Sequence, residues 1–429
     1  MTSLRIRLIR KTVRLLARLT IAKFRPSVIG VTGTVGKTST KEAIYKVLSA
    51  AKPTRRNLAN LNNEIGLPLT ILGNYSRSGG LLFWAGVIIS ATFRLALPKI
   101  FYWLTGAGYP RMIVLEYAAD RPGDLEYLIK IARPSVSVVT AVGDIPTHVE
   151  FYEDADAVAR EKSRLVEALP EIGTAVLNID DLRVAGMRAQ TSAQVMTYGF
   201  SENAQVRITD LETRIEVDKD SGLPRPSGVA FKLHYDGAMI PIRLSGTAGA
   251  SQAYAAAAAA CVGLTFGISL VNIAEALGMY QPPESRMNFL DGQGNILLVD
   301  DSYNASPLST ASAIATIKEL PAMRKVAILG DMRELGKFSE EAHRKIGAMA
   351  SEVFDVIVTV GQESKFIEKV AQQAAPKKIY HWFPDVDSAL EPIRHLLKEG
   401  DLVLVKASHG IGLEKVVSAL RKAHQRMPS

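Results

Sequence analysis

The chain has 429 residues, 47% of them hydrophobic, which suffices for a sizeable core in two or three domains and excludes a disordered or fibrous protein. Its single cysteine, Cys261, excludes a disulfide framework and a cysteine-rich zinc site, so any metal has to be held by oxygen or imidazole. The formal charge of +8 is local, because residues 1–25 hold eight Lys and Arg and no acid while the remainder balances at 43 against 43, and a broad basic face for nucleic acid is not expected.

Residues 1–25 read as a basic amphipathic arm. Arg7, Arg10, Lys11, Arg14 and Arg18 recur at helical spacing and share one face, with Ile9, Val13, Leu16 and Leu19 largely elsewhere. Such a helix either lies on anionic lipid or is a solvated arm. It lacks the apolar stretch and small-residue cleavage site of a signal peptide. Ser27–Val31 is a strand feeding a Gly-rich turn, and Thr38–Ala51 is the helix behind it. Leu81–Leu104 is strongly apolar, but Arg94, Pro98 and Lys99 interrupt it before the roughly 20 apolar residues of a membrane span. It is expected to be interfacial or buried.

Alternation continues with a strand at Met112–Leu115, a helix at Gly123–Ala132, a strand at Val136–Val142, a helix at Ala155–Leu169 and a strand at Ala175–Asn178. This pattern predicts a parallel sheet with helices on both faces. Residues 205–245, including Val229–Tyr235 and Ile240–Leu244, predict an antiparallel appendage, and alanine-rich Ala253–Gly263 a tightly packed helix. The Pro-Pro pair within Gln281–Ser285 marks a boundary. Behind it, strands at Ile296–Val299, Lys325–Leu329, Val356–Val360 and Leu402–Val405 alternate with helical segments. The fold class is α/β, with a P-loop central domain over 26–285 and a Rossmann-like α/β domain over 286–429.

Thr32-Gly33-Thr34-Val35-Gly36-Lys37-Thr38 lies between the first strand and its helix. The glycines let backbone N–H groups face phosphates, Lys37 supplies a point charge and the Thr38 hydroxyl can ligate magnesium. Val31 stands where the general phosphate-loop pattern has glycine. Three further motifs are Asn62-Asn63-Glu64-Ile65-Gly66-Leu67-Pro68-Leu69-Thr70, Asp300-Asp301-Ser302-Tyr303-Asn304-Ala305-Ser306-Pro307 and Leu329-Gly330-Asp331-Met332-Arg333-Glu334-Leu335-Gly336. With the phosphate loop, and in this order, they resemble the Mur ligase family, most of all its MurF branch, over nearly all of residues 27–420.

The resemblance implies a cell-wall ligase using ATP and Mg2+. A peptide carboxylate of a peptidoglycan precursor would be activated as an acyl phosphate and joined to D-alanyl-D-alanine, with charge on oxygen stabilised in a closed site. It implies Lys37, His148, Lys162 and Arg286 as catalytic residues. Nucleotide would be held by Gly33, Thr34, Gly36, Lys37, Thr38, Ser39, Asn178, Gln252, Arg286, Asp301, Tyr303 and Asn304. Metal would be held by Thr38, Glu116, His148 and Lys162, the last as a carbamate. Substrate would meet Asn62, Asn63, Glu64, Lys406 and Ser408. On the residues alone, Glu116 reads as a solvated strand-end carboxylate, His148 as a surface or core residue and Lys162 as a lysine paired with a nearby glutamate. His343 matches a family position whose role stays open.

The family's adenine-contacting segment appears as Ser251-Gln252-Ala253-Tyr254-Ala255, with one amide fewer, and Ala407 and His409 replace the family's Gly and Arg. A uridine-nucleotide-binding domain usually precedes the phosphate loop in the MurF branch, whereas here the loop is reached by residue 33. A lipid-linked or otherwise non-UDP acceptor is therefore the alternative substrate, folate glutamylation and lipid amidation are alternative ligase chemistries, and a nucleotide-binding membrane scaffold without turnover is the alternative class. A cytoplasmic monomer, peripheral at the inner face of an anionic membrane, is expected.

Overall fold

The computed structural model describes residues 2–58, 61–106, 108–217 and 224–422; Met1 of the arm and 423–429 of the C-terminal segment lie outside the described residues. In the front half the strands are β1 Ser27–Thr32, β2 Thr54–Arg56, β3 Met112–Glu116, β4 Val136–Val139, β5 Thr174–Asn178, β6 Gln194–Gly199, β7 Val206–Val217, β8 Pro224–Tyr235 and β9 Ala238–Ser245. They form one sheet in the order β2-β3-β1-β4-β5-β6-β7-β8-β9, parallel as far as β7 and antiparallel beyond it. The expected antiparallel appendage is thus a continuation of the main sheet. In the rear half, β10 Asn288–Asp291, β11 Leu297–Asp300, β12 Arg324–Gly330, β13 Val356–Val360, β14 Ile379–Phe383 and β15 Asp401–Lys406 order as β10-β11-β15-β12-β13-β14. Only the β10–β11 pairing is antiparallel among these described strands.

Helices cover both faces of the parallel strands, which is why β3, β4, β5, β13 and β15 are buried along their whole lengths and read as unbroken apolar runs. Register decides where the polar strand ends go. Val31 lies opposite Glu116, Thr32 opposite Val139 and Asn178 opposite Tyr198, so these residues share the C-terminal edge of the front sheet. In the rear sheet Asp300 pairs with Val405 and Leu329 with Lys406. Both sheets therefore present their carboxyl ends, where open α/β sheets bind ligands.

Some boundaries differ from the sequence reading. β4 stops at Val139 because the Thr140 hydroxyl donates to the Val35 carbonyl at 2.5 Å and the Ala141 carbonyl accepts from Thr34 N at 2.6 Å, turning the chain onto the phosphate loop. The helix expected over Gly123–Ala132 covers only Asp124–Ile129. Gly66–Leu72, expected as loop, is helical, its first turn capped by the Asn63 carboxamide, which accepts from Ile65 N and Gly66 N.

The arm is a helix, Thr2–Phe24, that buries Val13, Leu16, Ala17 and Thr20 against the body. The division of faces differs from expectation. Arg10 pairs with Glu64 at 2.6 Å and Arg14 lies 4.4 Å over the Tyr127 ring, while the outward face interleaves Arg7, Lys11 and Arg18 with Leu8, Leu15 and Leu19. The apolar stretch folds as two helices, Leu81–Ala96 and Pro98–Thr105, meeting at 117°. No single helix among the described residues is long and apolar enough to cross a membrane.

Ala250–Thr265 is the densest part of the core. Ala255 to Ala260 are all buried, in one cluster with Ile44 and Val47 of the helix Lys37–Ser49 and with Val176, Met196 and Val206 of the sheet. Small side chains allow this close approach. Ala257→Leu inserts three heavy atoms into a filled space and should cost about 1–3 kcal/mol in chemical denaturation. An unchanged midpoint would show that the helix has room to spare.

Candidate active site

The phosphate loop is built by backbone geometry that only glycine takes readily. Gly33 has φ +141° and Gly36 φ +86°, and a Cβ on Gly33 would lie 2.0 Å from the Thr140 hydroxyl. Gly36 directly precedes the helix Lys37–Ser49, whose first turn carries no side-chain cap, so its N–H groups and positive dipole end face the loop. The Lys37 amine donates to the carbonyls of Gly33 at 2.8 Å and Thr34 at 3.2 Å. Burial lowers its pKa, opposed by the charges of Glu116, Asp120 and Glu334. The Thr34 hydroxyl, within the phosphate loop, is buried without a hydrogen-bond partner among the described residues.

Glu116, at the end of β3, is buried and fully engaged rather than solvated. One carboxylate oxygen accepts from the Thr38 hydroxyl at 3.1 Å, the other from the Asn62 amide at 3.1 Å, and its N–H donates to the Asn57 side chain. Lys41, also buried, donates to the Asn57 carbonyl at 2.9 Å and stands 4.0 Å from Glu116; the sequence reading did not single it out. Thr38 and Glu116 form an oxygen donor set that fits magnesium. Among the described residues no group of three or more His, Cys, Asp or Glu side chains is arranged to hold a metal ion by itself.

His148 does not join this pair directly. Its imidazole lies 3.2 Å from an Asp120 oxygen and 2.8 Å from an oxygen of Glu334, which belongs to the rear half. The imidazole holds the Glu334 carboxyl below its ordinary value. Both His148 and Glu334 adopt left-handed backbone, φ 67° and 64°. Lys162 is buried, with no hydrogen-bond or ion-pair partner among the described residues. Its neighbour Glu161 is occupied elsewhere, accepting from Gly123 N and Leu125 N and pairing with Arg164 at 2.9 Å. Burial, helped by the charge of Lys37, lowers the Lys162 pKa to about 7.

A cavity of about 440 Å³ lies between the halves. The front half contributes Gly36, Ser39, Asn178 and Gln252, and the rear half Arg286 and Asp301. Arg286 sits between Ser285 and Met287, both non-glycine residues at φ 56°. Such backbone typically costs about 1–3 kcal/mol per residue and persists where surroundings enforce it. The Arg286 guanidinium rests 4.2 Å over the Tyr303 ring, which stacks on His409. Tyr303 and Asn304 are not among the cavity-lining residues; they support Arg286 and, through the Asn304 carbonyl, Lys406.

Several proposed contacts are taken up within the protein. Gln252 lines the cavity, yet its amide donates to the Arg286 carbonyl at 3.3 Å and accepts from Tyr280 at 3.1 Å, so it ties the halves together. Lys406, expected near the amine substrate, lines this cavity and pairs with Asp301 at 2.6 Å. Burial pushes the Asp301 pKa up and that of Lys406 down, each opposed by the other's charge. Ser408 accepts from Arg333 N at 2.9 Å and donates to the Ala305 carbonyl. Asn63 caps a helix and Glu64 pairs with Arg10, so neither has a contact in the cavity. His343 accepts from Met332 N and places its other ring nitrogen 2.7 Å from the Ser339 carbonyl, a structural pin.

Besides Lys41, two further residues were not singled out for a role. Asp181 accepts from Val142 N and Gly143 N and caps Val184 N, fixing the cavity wall. Tyr254 donates to Asp180 at 2.8 Å beside the cavity. An Asp-Asp pair after a strand was the available signal for the first.

Because the Lys162 amine loses its proton near pH 7 in the folded chain and near the ordinary lysine value of 10.5 in the unfolded one, folding releases that proton between the two. Stability should therefore rise with pH across this window. Lys162→Met removes the contribution: from about pH 6.5 to about pH 9, wild type should gain about 2 kcal/mol on the variant in urea titrations. Parallel pH profiles would show that this amine titrates normally.

The chain matches the model of the Mur ligase middle domain over residues 31–80 and 90–262 and that of the Mur ligase glutamate ligase domain over 285–409. It is 31% identical over 417 residues to the UDP-N-acetylmuramoyl-tripeptide–D-alanyl-D-alanine ligase of Mycobacterium bovis, covering 92% of this chain and 72% of that protein, and 27% identical to the Bacillus subtilis ligase of that name, covering 94% and 78%. Among solved structures it is similar to MurF from Acinetobacter baumannii, with TM-score 0.75, 27% identity and 94% and 80% of the two chains covered. It is also similar to MurF ligase from Thermotoga maritima in complex with ADP, with TM-score 0.75, 27% identity and 96% and 83% covered. On this evidence the chain belongs to the Mur ligase family.

Proposed function

We propose that this chain is an ATP-dependent ligase of peptidoglycan precursor synthesis that joins a peptide carboxylate to D-alanyl-D-alanine. The observation carrying this reading is that the phosphate loop and Arg286, from opposite halves, border one cavity. The halves, taken as domains 26–285 and 286–429, then act as jaws on one nucleotide. Both jaws come from a single chain, so a monomer suffices.

Each residue has a task set by its surroundings. The phosphate-loop N–H groups and Lys37 hold the triphosphate, and Arg286, propped on Tyr303, approaches from the rear half. Thr38 and Glu116 would hold Mg2+, which supplies charge neutralisation for phosphoryl transfer. The carboxylate oxygen attacks the γ-phosphorus of ATP and ADP leaves, giving an acyl phosphate; the incoming amine then adds to its carbonyl, and loss of phosphate and of the amine proton completes the amide. Lys37 and Arg286 stabilise the oxygen charge that develops in both steps. A Lys162 amine that is neutral near pH 7 is competent to take up CO2, and the resulting carbamate would add an oxygen ligand beside the loop. His148, bridging Asp120 and Glu334, holds the halves together next to that position.

Phosphate release with ATP, Mg2+ and a UDP-linked muramoyl tripeptide should depend on D-alanyl-D-alanine and fall by about 10²–10³ in Lys37→Ala and Arg286→Ala. ATP binding with no turnover for any acceptor would replace the ligase by a scaffold. Turnover with lipid-linked but not UDP-linked peptide would support the second reading, which the exposed apolar helices at 81–105 favour.

A further inference from the structure

We propose that the outward face of the helix Thr2–Phe24 and the bent helix pair Leu81–Ala96 and Pro98–Thr105 together form a docking surface for an anionic lipid bilayer. This rests on the surface alone and not on the ligase reading.

The elements form one unit. Val13, Leu16 and Ala17 of the first helix share a core with Trp84, Val87 and Ala91 of the second, and the Lys23 amine donates to the Leu95 carbonyl. Arg94 reaches the Leu72 carbonyl at 2.8 Å and lies 5.7 Å from the Phe101 ring, tying the third helix to the second. With those inner faces used, much apolar surface still points outward. None of the eight residues of Pro98–Thr105 is buried; Trp103 is 80% exposed and Leu82 89%. Soluble monomers rarely leave so many large apolar side chains together in water.

Charge decides the occupant. Residues 1–41 and 65–115, which supply this surface, contain no Asp or Glu, and Arg7, Lys11, Arg18 and Lys99 are exposed on it. Of the acids flanking it, Glu64 is paired with Arg10, and Glu126, next to the Tyr127 ring under Arg14, is paired with Lys130 and Arg164. A second copy packed on the same face through a two-fold axis would oppose cation to cation, so self-association is disfavoured. Cations interleaved with leucines, and a tryptophan among aliphatics on a helix too short to span, suit the headgroup boundary of a negatively charged membrane. The family model passes over residues 1–30 and 81–89, so parts of the surface lie outside what the family shares.

The test is flotation of the full chain with vesicles of phosphatidylcholine alone and with added phosphatidylglycerol, at low and high salt. Binding is expected only with the anionic lipid, weakening with salt, and falling by more than about tenfold in the triple variant Arg7→Glu, Lys11→Glu, Arg18→Glu and in the double variant Trp103→Glu, Leu82→Glu. Circular dichroism and ATP binding, both expected to be unchanged, verify folding of the variants. Absence of the intact chain from the anionic vesicle fraction overturns the proposal, as does binding that neither variant weakens. Dimerisation abolished by the double variant, without vesicle binding, also overturns it and assigns the face to a second copy.

Discussion

Three lysines, at positions 41, 162 and 406, are withdrawn from water, the last of them at the cavity wall, and the energetic penalty of that withdrawal has to be offset by the residues around each. The three are accommodated differently. Lys41 donates to the Asn57 carbonyl and lies 3.2 Å from the Glu42 carboxylate, with Glu116 farther off at 4.0 Å. Lys406 has a close partner in Asp301, and the pair holds the end of β15 against the segment after β11. Lys162 has no such partner among the described residues, and burial lowers its pKa to about 7. A cleft that binds polyanions needs cations, and keeping water away from them strengthens their effect.

The halves are joined at two ends of the cleft by different interactions. Near the phosphate loop it is the contact of the His148 imidazole with the Glu334 carboxyl, at 2.8 Å. Near the far wall it is a neutral amide, Gln252, held by Tyr280 and clasping the backbone of Arg286. The left-handed residues on either side of Arg286 are enforced by this clasp and by the Ser285 hydroxyl on Asp300.

The parallel cores of both halves were legible because strands covered on two faces have to be apolar throughout, and the phosphate loop because its glycines have no other reason to be there. Short or half-wet strands were not: Thr54–Arg56 is wholly polar, and Ile379–Phe383 is an edge with no fully buried residue. Among site residues, the place of Glu116 at the end of β3 was legible from the apolar run before it, while its role came only from the resemblance. The contacts of Ser408, Gln252, Asn63 and Glu64 were not legible, because each is claimed by a local or distant protein partner, Arg333 N for Ser408, that motif matching does not reveal.

The alanine helix Ala250–Thr265 carries a mechanical implication. Wedged between the phosphate-loop helix and the sheet with no side chain larger than a methyl from Ala255 to Ala260, it leaves that helix nothing to slide over. The front half then gives the cleft one unyielding wall, and Pro282 and Pro283 stiffen the crossing that leads from it to the rear half.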